Sequence, residues 1–195
     1  MEREKLIKLI GTPLSFDDIQ NIMMKAIGKK VKIIQLNEMC NSKETIDEIL
    51  DDNNDMAILY LPVLSLYNGH FCSIFESPDR KSIYFCDSYG NSPKELIELI
   101  NNLGYVVDKS CLFAQMRKKY KIGYMNTIQY QTEANGVADC GKYATANLIF
   151  KYMASRKNQH YDLNTFYDNM LQLNTKYKTK DFDDSVTLFA QQFLK

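Results

Sequence analysis

The 195-residue chain has no tryptophan, only two histidines and no excess of charge of either sign. Lysine plus arginine and aspartate plus glutamate both number 24, so the formal net charge is zero. Composition therefore favours neither nucleic acid nor an anionic membrane as a general partner. No apolar run approaches the length that a membrane span requires. Because His70 and His160 are the two histidines, chemistry that needs an imidazole must use one of them.

The chain also lacks the close, paired cysteine spacing of zinc sites and disulfide frameworks. It has five cysteines, an odd number, and its start, MEREKLIKLI, is too charged for a secretory signal. These features predict reduced thiols and an intracellular location. Cys72 and Cys86 lie in apolar strands, and Cys40 and Cys111 lie beside apolar residues, as is typical of packing residues. Cys140 differs from them because it opens a segment with the pattern of a long helix.

Repeats, low-complexity tracts and flexible linkers are absent as well, so we expect one domain over residues 1–195. Helical periodicity and capping residues predict helices over 15–28, in SPKELIELINNLG, over 139–155, in DLNTFYDNMLQL and in DDSVTLFAQQFL. Runs rich in β-branched and aromatic residues predict strands in VKIIQL, MAILYLPV, HFCSIF, SIYFCDS and NTIQYQT. Strands in the middle and helices at both ends indicate an α+β fold rather than alternating βαβ units.

The segment GHFCSIFESPDRKSIYFCDSYG predicts two strands joined by a four-residue loop. Pro78 suits the second position of a type I turn, on which such loops are commonly built. If residues 77–80 form the loop, His70 pairs directly with Asp87 across the two strands, and both side chains share one face. An imidazole beside a carboxylate has its tautomer fixed and its charged form stabilised, although a plain polar pair at a sheet end has the same pattern.

Cys140 follows a turn-forming Asn-Gly and starts the predicted helix. Free backbone N–H groups and the helix dipole at such a position favour the thiolate, which is the reactive form of cysteine. Gly141 leaves room for a substrate to approach the backbone, where the Cys140 N–H could bind an oxyanion. We expect Asp139 to cap the helix. The position of Cys140 alone leaves a packing role open. The pairing of His70 with a carboxylate makes a nucleophile the better interpretation of Cys140.

Together, GHF, SIYFCDSYG and NGVADCGKYA resemble the catalytic core of the adenovirus-type and SUMO-protease-type (Ulp-like, clan CE) cysteine peptidases. The resemblance covers residues 69–143 and is closest in character to the adenain-like maturation proteases of DNA viruses and virophages. It implies an α+β, papain-like fold with a central, mainly antiparallel sheet flanked by helices and a nucleophile at the N-terminus of a buried helix. It also implies that Cys140 is the nucleophile, His70 its general base and Asp87 the residue that orients His70.

Two positions depart from the pattern of that family. The family usually has Trp after the His, covering the active site, and this chain has Phe71 there. The family also places an oxyanion-hole Gln six or seven residues before the Cys, where this chain has Glu133. Because an anionic Glu would repel the oxyanion, we assign that role to Gln131, with Gln129 as the alternative. Phe71 and Tyr89 are candidates for the walls of a narrow substrate cleft, although core packing is the more common role of a single aromatic residue.

The function implied by the resemblance is cleavage of viral capsid or scaffold precursors after Gly-Gly-type sites during virion maturation. The partners would be protein substrates, with no membrane partner, no cofactor and no metal, and we expect a monomer. The adenovirus relative has a peptide or nucleic acid activator, but the neutral charge argues against strong dependence on DNA here. The expected location is the host cytoplasm or a viral factory, with packaging in the virion.

Three alternative functions stay open at this point. An isopeptidase acting on ubiquitin-like tails would use identical catalytic residues, and so would an acetyltransferase with the same triad. A non-catalytic metal-binding or interaction module would use His70, Cys72 and Cys86 as zinc ligands, although their spacing fits strands better than a zinc site. A substrate assay, transfer of labelled acetyl groups and zinc analysis distinguish these functions.

Overall fold

A computed structural model describes residues 2–41, 46–50, 54–65, 68–102, 104, 120, 122–134 and 136–194. The helices are α1 (Arg3–Ile10), α2 (Phe16–Ile27), α3 (Leu36–Asn41), α4 (Ile46–Ile49), α5 (Pro93–Asn102), α6 (Cys140–Arg156), α7 (Leu163–Tyr177) and α8 (Phe182–Leu194). The strands are β1 (Lys32–Gln35), β2 (Met56–Ser65), β3 (Asn68–Glu76), β4 (Ser82–Asp87) and β5 (Ile122–Met125). Cys111 and the side chain of Cys40 lie outside the described part of the chain. None of the described helices is long and apolar enough to span a bilayer.

The five strands form one mixed sheet in the order β1-β2-β3-β4-β5. Strands β2, β3 and β4 pair antiparallel, while β1 joins β2 and β5 joins β4 in parallel. The expected α+β fold with a central sheet flanked by helices is confirmed. The antiparallel pairing that we expected holds for the centre of the sheet and not for its two edges.

The fifth strand lies before the segment in which we expected it. Strand β5 ends at Met125, and NTIQYQT, residues 126–132, follows as irregular chain. Tyr130 and Gln131 both donate their backbone N–H groups to the Ser88 carbonyl, at 2.8 and 2.9 Å, so they do not form a regular ladder. The apolar content of this segment therefore does not mark a strand: Tyr130 and Gln131 are both buried, whereas Ile128 is exposed.

The hairpin between β3 and β4 has a different register from the expected one. Cys72, not His70, lies directly opposite Asp87. The turn forms around Pro78 as expected, but Arg80 then takes a φ of 55°, and the loop closes one residue later along the chain. The pairing consequently shifts by two positions. Because side chains alternate with a period of two, His70 and Asp87 still share a face of the sheet.

Apolar side chains cover both faces of the sheet. On one face, Phe75 packs in a cluster with residues of α2, α6, α7 and α8, among them Ile19 and Leu148. On the other face, Phe85 packs in a cluster with residues of α5 such as Ile97. Burying one such side chain contributes about 1.5–3 kcal/mol. The strand ends that carry the candidate site are therefore fixed between two packed layers.

Helix α6 is buried at every position from 141 to 149. Small residues in this stretch let the helix lie close to the sheet, and Asn147 donates to Ser73 Oγ at 2.8 Å, which links the helix to β3. Cys140 is the first residue of this helix. The thiol thus stands at the start of a buried helix, as the sequence predicts.

Candidate active site

His70 lies near the start of β3 and Asp87 at the end of β4, and their side chains are in contact. Nε2 of His70 hydrogen-bonds Oδ1 of Asp87, and both side chains are buried. The other carboxylate oxygen, Oδ2, accepts the backbone N–H of Asn91 at 2.9 Å. Because Asp87 pairs with Cys72, the contact with His70 is diagonal across the two strands. An imidazole is long enough to span the distance between diagonal positions. Since Nε2 faces Asp87, Nδ1 is the ring nitrogen left for another partner.

Asn126 holds the end of β4 in place. Its side chain accepts the backbone N–H of Asp87 at 2.8 Å and donates to the Asp87 carbonyl at 2.7 Å. It also donates to the Ile128 carbonyl at 2.9 Å, and it is buried. These bonds satisfy backbone groups where the ladder ends and so fix the residue that carries the carboxylate. Sequence reasoning missed Asn126 because an asparagine after a strand is indistinguishable from an ordinary turn residue.

Cys140 stands next to His70 at the start of α6. Burial raises the pKa of its thiol, but the hydrogen bond to His70 and the charge of that imidazole lower it. Hydrogen bonds from the backbone N–H groups of Phe71 and Gly141 lower it further. The pKa of Cys140 consequently lies below the ordinary value for a thiol. One imidazole and two backbone donors thus stabilise negative charge on the sulfur atom.

The imidazole of His70 shows the opposite shift. Burial lowers its pKa, but Cys72, Asp87 and Cys140 around the ring raise it more, so that it lies well above its ordinary value. Burial likewise raises the pKa of Asp87, and the hydrogen bond and charge of His70 lower it more. A lowered pKa on the thiol and a raised pKa on the imidazole favour a thiolate–imidazolium pair over a neutral pair.

Cys72 is part of this cluster, and Cys86 is not. The Cys72 thiol hydrogen-bonds Asp87 Oδ1 at 3.6 Å, and the possible metal-ligand atoms of His70, Cys72 and Asp87 all lie within 4.8 Å of one another. Cys86 pairs with Ser73 and packs in the cluster on the opposite face, so the considered zinc set is not brought together. Burial raises the pKa of Cys72 to about 12.

Gln131 is buried next to the same strand ends. Its Oε1 accepts a hydrogen bond from Ser88 Oγ at 2.9 Å, and its Nε2 donates to the Tyr89 hydroxyl at 2.9 Å. The Tyr89 ring stacks on the His70 imidazole, with centroids 5.3 Å apart. A short chain of contacts therefore links the amide of Gln131 through Tyr89 to His70.

The other two residues considered for the oxyanion role lie at the surface. Gln129 and Glu133 are both exposed. Gln129 donates its side-chain amide to the Gln131 carbonyl at 3.0 Å, so it supports the neighbouring backbone. Gln131 differs from Gln129 and Glu133 because it is buried and its side-chain amide has a hydrogen bond at both the oxygen and the nitrogen.

Phe71 lies beneath the site, in the core. Its ring is 4% exposed and packs on Tyr60, with centroids 4.9 Å apart. Gly141 packs against it, since a Cβ at this glycine would lie 3.3 Å from both Phe71 Cδ2 and Leu14 Cβ. A ring this buried offers little surface to a substrate, and the space at Gly141 is filled from the core. Close packing of the helix start therefore explains both residues, while the Phe71 N–H reaches the sulfur of Cys140.

Asp139, the residue before α6, does not cap the helix with its side chain. Its carboxylate forms a buried ion pair with Lys142 and accepts from Thr187 Oγ1 at 3.2 Å. Burial raises the pKa of Asp139 to about 7, although Lys142 lowers it. Lys142 Nζ also donates to the carbonyls of Leu9 and Thr12, at 2.8 and 3.0 Å, next to the end of α1. The expected cap is absent because this carboxylate pairs with a buried cation.

Comparison with known proteins finds similar structures without similar sequences. No family model matches the chain, and no curated protein matches it. Among solved structures, the chain is similar to the ASFV pS273R protease, with a TM-score of 0.49 and 15% identity over 96% of this chain and 69% of that one. It is also similar to the Legionella pneumophila effector protein RavZ, with a TM-score of 0.29 and 12% identity over 100% of this chain and 67% of that one. At these TM-scores, neither likeness carries an argument about function.

Proposed function

We propose that the chain is a cysteine endopeptidase in which Cys140 is the nucleophile, His70 the general base and acid, and Asp87 the residue that orients His70. One observation carries the proposal: a thiol with a lowered pKa at a helix start adjoins an imidazole with a raised pKa, whose Nε2 hydrogen-bonds a buried carboxylate. Nucleophilic catalysis needs a nucleophile, a proton carrier and an orienting group within hydrogen-bond reach. The resemblance of the sequence to clan CE peptidases supports the same roles.

The proposed reaction begins with attack of the Cys140 thiolate on the scissile carbonyl carbon. The C–S bond forms while the carbonyl electron pair moves to oxygen. Protonated His70 then gives its Nδ1 proton to the leaving amine, the C–N bond breaks, and a thioester remains on sulfur. Neutral His70 next takes a proton from water, whose oxygen attacks the thioester and displaces the thiolate. The Asp87 carboxylate on Nε2 holds the ring in position throughout.

Two hydrogen-bond donors are proposed for the oxyanion. The Cys140 N–H belongs to the first turn of α6, where N–H groups have no acceptor within the helix. The second donor is Gln131 Nε2, on an amide held in position by Ser88 and Tyr89. Donors fixed before the reaction stabilise developing charge without the cost of reorienting, and removal of one typically lowers the rate by about 10²–10³-fold.

The proposed substrates are viral capsid or scaffold precursors, cut after Gly-Gly-type sites by a monomer inside the infected cell. Support for a narrow cleft comes from Tyr89, whose half-buried ring stacks on His70. An aromatic ring so close to the proposed base leaves little room for a side chain beside the scissile bond. Glycine, which has no side chain, fits such a site best.

Coexpression with a capsid-type precursor that carries a Gly-Gly site tests the proposal. We expect the wild type and Cys86→Ala to cleave it and Cys140→Ala and His70→Ala to leave it intact. Cys86 is the matched control because it is a buried thiol on the opposite face of the same sheet. Cleavage is read on a gel, and the new terminus is identified by mass spectrometry.

The other outcomes of this experiment are equally informative. Cleavage that persists in Cys140→Ala would contradict the assignment of the nucleophile. If the precursor stays intact while a ubiquitin-like conjugate is cleaved, the chain is an isopeptidase with the same residues. If labelled acetyl groups pass from acetyl-CoA to an acceptor protein, it is an acetyltransferase.

A further inference from the structure

A cavity of about 410 Å³ lies where the β3–β4 loop meets the end of α6. Among the residues that the structure describes, its charged lining consists of four basic residues and one acidic residue: Lys29, Arg80, Lys151 and Arg156, with Asp55. Cys140 is the first residue of α6 and Arg156 the last. At a rise of 1.5 Å per residue, the two ends of this helix are about 24 Å apart. The cavity is thus separate from the candidate active site.

The helix dipole explains only part of this positive charge. Cations stabilise the C-terminal turns of a helix, and Lys151 and Arg156 lie in the last two turns of α6. Lys29 follows α2, and Arg80 belongs to the β3–β4 loop, yet both also line the cavity. Bringing like charges together from three separate segments costs free energy. Such a concentration of cations indicates an anionic ligand.

Arg80 has a backbone conformation that is uncommon for arginine. Its φ is 55°, in the left-handed region where a hairpin loop usually has glycine or asparagine. The Arg80 side chain lines the cavity, and its Nε lies 3.5 Å from Glu76 Oε2. Residues held in such conformations occur often at functional sites. The Arg80 side chain therefore contacts both the cavity and the buried Glu76 carboxylate.

Lys151 is buried in the cavity wall and forms an ion pair with Asp55. Burial and the neighbouring charge of Lys29 lower the pKa of Lys151 to about 8. Among the described residues, the four cations of the lining face the Asp55 carboxylate and the Glu76 carboxylate that pairs with Arg80, which leaves a formal excess of two positive charges. A bound anion would interact favourably with each cation and offset their mutual repulsion.

We propose that this cavity binds a small polyphosphate, that is, a ligand with at least two phosphate groups. Phosphate oxygens are hydrogen-bond acceptors, and the guanidinium and ammonium groups of Arg and Lys are the donors that bind them. The cavity volume lies within the usual range for small-ligand pockets, about 300–1,000 Å³. Tyr152 also lines the cavity, and Lys29 Nζ lies over its ring, 5.4 Å from the centroid.

Isothermal titration of the full chain with inorganic tripolyphosphate tests the site. We expect saturable binding that weakens as the salt concentration increases. Lys29→Ala and Arg156→Ala should each weaken binding by about fivefold or more, because each removes one charged donor. Lys30→Ala is the matched control, since Lys30 is the next residue, is exposed and is not in the lining. Its binding constant should stay within about twofold of the wild-type value.

Thermal melts of the variants establish that each one folds. Absence of saturable binding to the wild type would overturn the proposal. Equal weakening by Lys29→Ala and Lys30→Ala would also overturn it, because general surface charge would then explain the binding. Sulfate is the second probe, and sulfate binding as tight as that of tripolyphosphate would contradict a site built for several phosphate groups.

Discussion

Cys140 and His70 have pKa shifts opposite to those that burial alone would cause. Burial raises a thiol pKa and lowers an imidazole pKa, because it disfavours the charged form of each. Here the hydrogen bond and charge of His70 lower the pKa of the thiol, while Cys72, Asp87 and Cys140 raise the pKa of the imidazole. The charged pair therefore depends on these contacts. A substitution that removes one contact should change the ionisation of the other group.

Gln131→Ala is expected to lower kcat for peptide cleavage by about 10²–10³-fold with little change in KM. The reason is that the proposed hydrogen bond to the oxyanion forms only as the transition state is reached. Gln129→Ala is the control, because Gln129 is exposed and should leave the rate near that of the wild type. Steady-state kinetics on a peptide with the mapped cleavage site measures both variants. Full activity in Gln131→Ala would contradict the oxyanion assignment.

The scarcity of histidine made the proposed catalytic residues predictable from the sequence. With two histidines in the chain, the pairing of His70 with Asp87 and the helix start at Cys140 identify a small set of candidates. Asn126 had no comparable signal, because its role depends on backbone groups of Asp87, 39 residues away. The side-chain cap expected of Asp139 was wrong, since its partner in the folded chain is a buried cation that sequence patterns did not reveal.

At the scale of elements, the β3–β4 hairpin shows which details of a strand pair the sequence determines. The turn around Pro78 was predictable, whereas the left-handed conformation of Arg80 and the closing of the loop between Ser77 and Ser82, one residue later than expected, were not. The face on which His70 and Asp87 lie was nevertheless correct. A shift of two positions preserves the alternation of side chains, whereas a shift of one would have separated the pair.

Lys142 joins the start of α6 to the segment that ends α1. Its ammonium group binds Asp139 and the carbonyls of Leu9 and Thr12. Gly11 reinforces this junction, because a Cβ there would lie 2.7 Å from the Gly136 carbonyl oxygen. The N-terminal helix therefore helps to position the residues that precede the candidate nucleophile.

Lys142→Met is expected to destabilise the fold by about 3–5 kcal/mol near pH 8, because it leaves a buried carboxylate without its cation. Because Lys142 lowers the pKa of Asp139, that pKa should lie above its wild-type value of about 7 in the variant. The loss should therefore already decrease as the pH falls towards 7 and be smaller still at pH 6, since protonation removes the unpaired charge. The double variant Asp139→Asn/Lys142→Met should recover part of the loss. Urea unfolding at both pH values measures these differences. A loss below about 1 kcal/mol near pH 8 would contradict this role of the pair.

At the scale of the whole molecule, one mixed sheet separates two apolar layers. The layer with α2, α6, α7 and α8 contains the helix that begins at Cys140, and the layer with α5 lies on the face of Cys72. The candidate site forms at the end of the sheet, where residues from β3, β4 and α6 meet. Its geometry therefore depends on the packing of both layers.

Leu148→Ala is expected to lower the free energy of unfolding by about 2–5 kcal/mol, because Leu148 is fully buried between α6 and the sheet. Leu171→Ala is the matched control on α7, since Leu171 is 42% exposed and should cost less than about 1 kcal/mol. Denaturant unfolding of both variants tests the assignment of the core. Equal losses would show that α6 does not pack as described.

The overall fold class was predictable from the order of strands and helices, and the edges of the sheet were not. Parallel pairing of β1 with β2 and of β5 with β4 joins strands that are distant along the chain or separated by a helix. Periodicity within a strand does not record which neighbour it pairs with or in which direction. The five-stranded mixed sheet therefore required the structure.

The alkylation rate of Cys140 by iodoacetamide, followed by mass spectrometry as a function of pH, tests the thiolate–imidazolium pair most directly. In the wild type the rise in rate with pH should occur at lower pH than for an ordinary thiol, whose pKa is about 8.5, because the pKa of Cys140 is lowered. In His70→Ala the rise in rate should move to higher pH, because the imidazolium that lowers the thiol pKa is lost. Cys86 in the same sample is the internal control, since burial raises its pKa and should keep its alkylation slow. A Cys140 rate that rises only near pH 8.5 and is identical in wild type and His70→Ala would contradict the account.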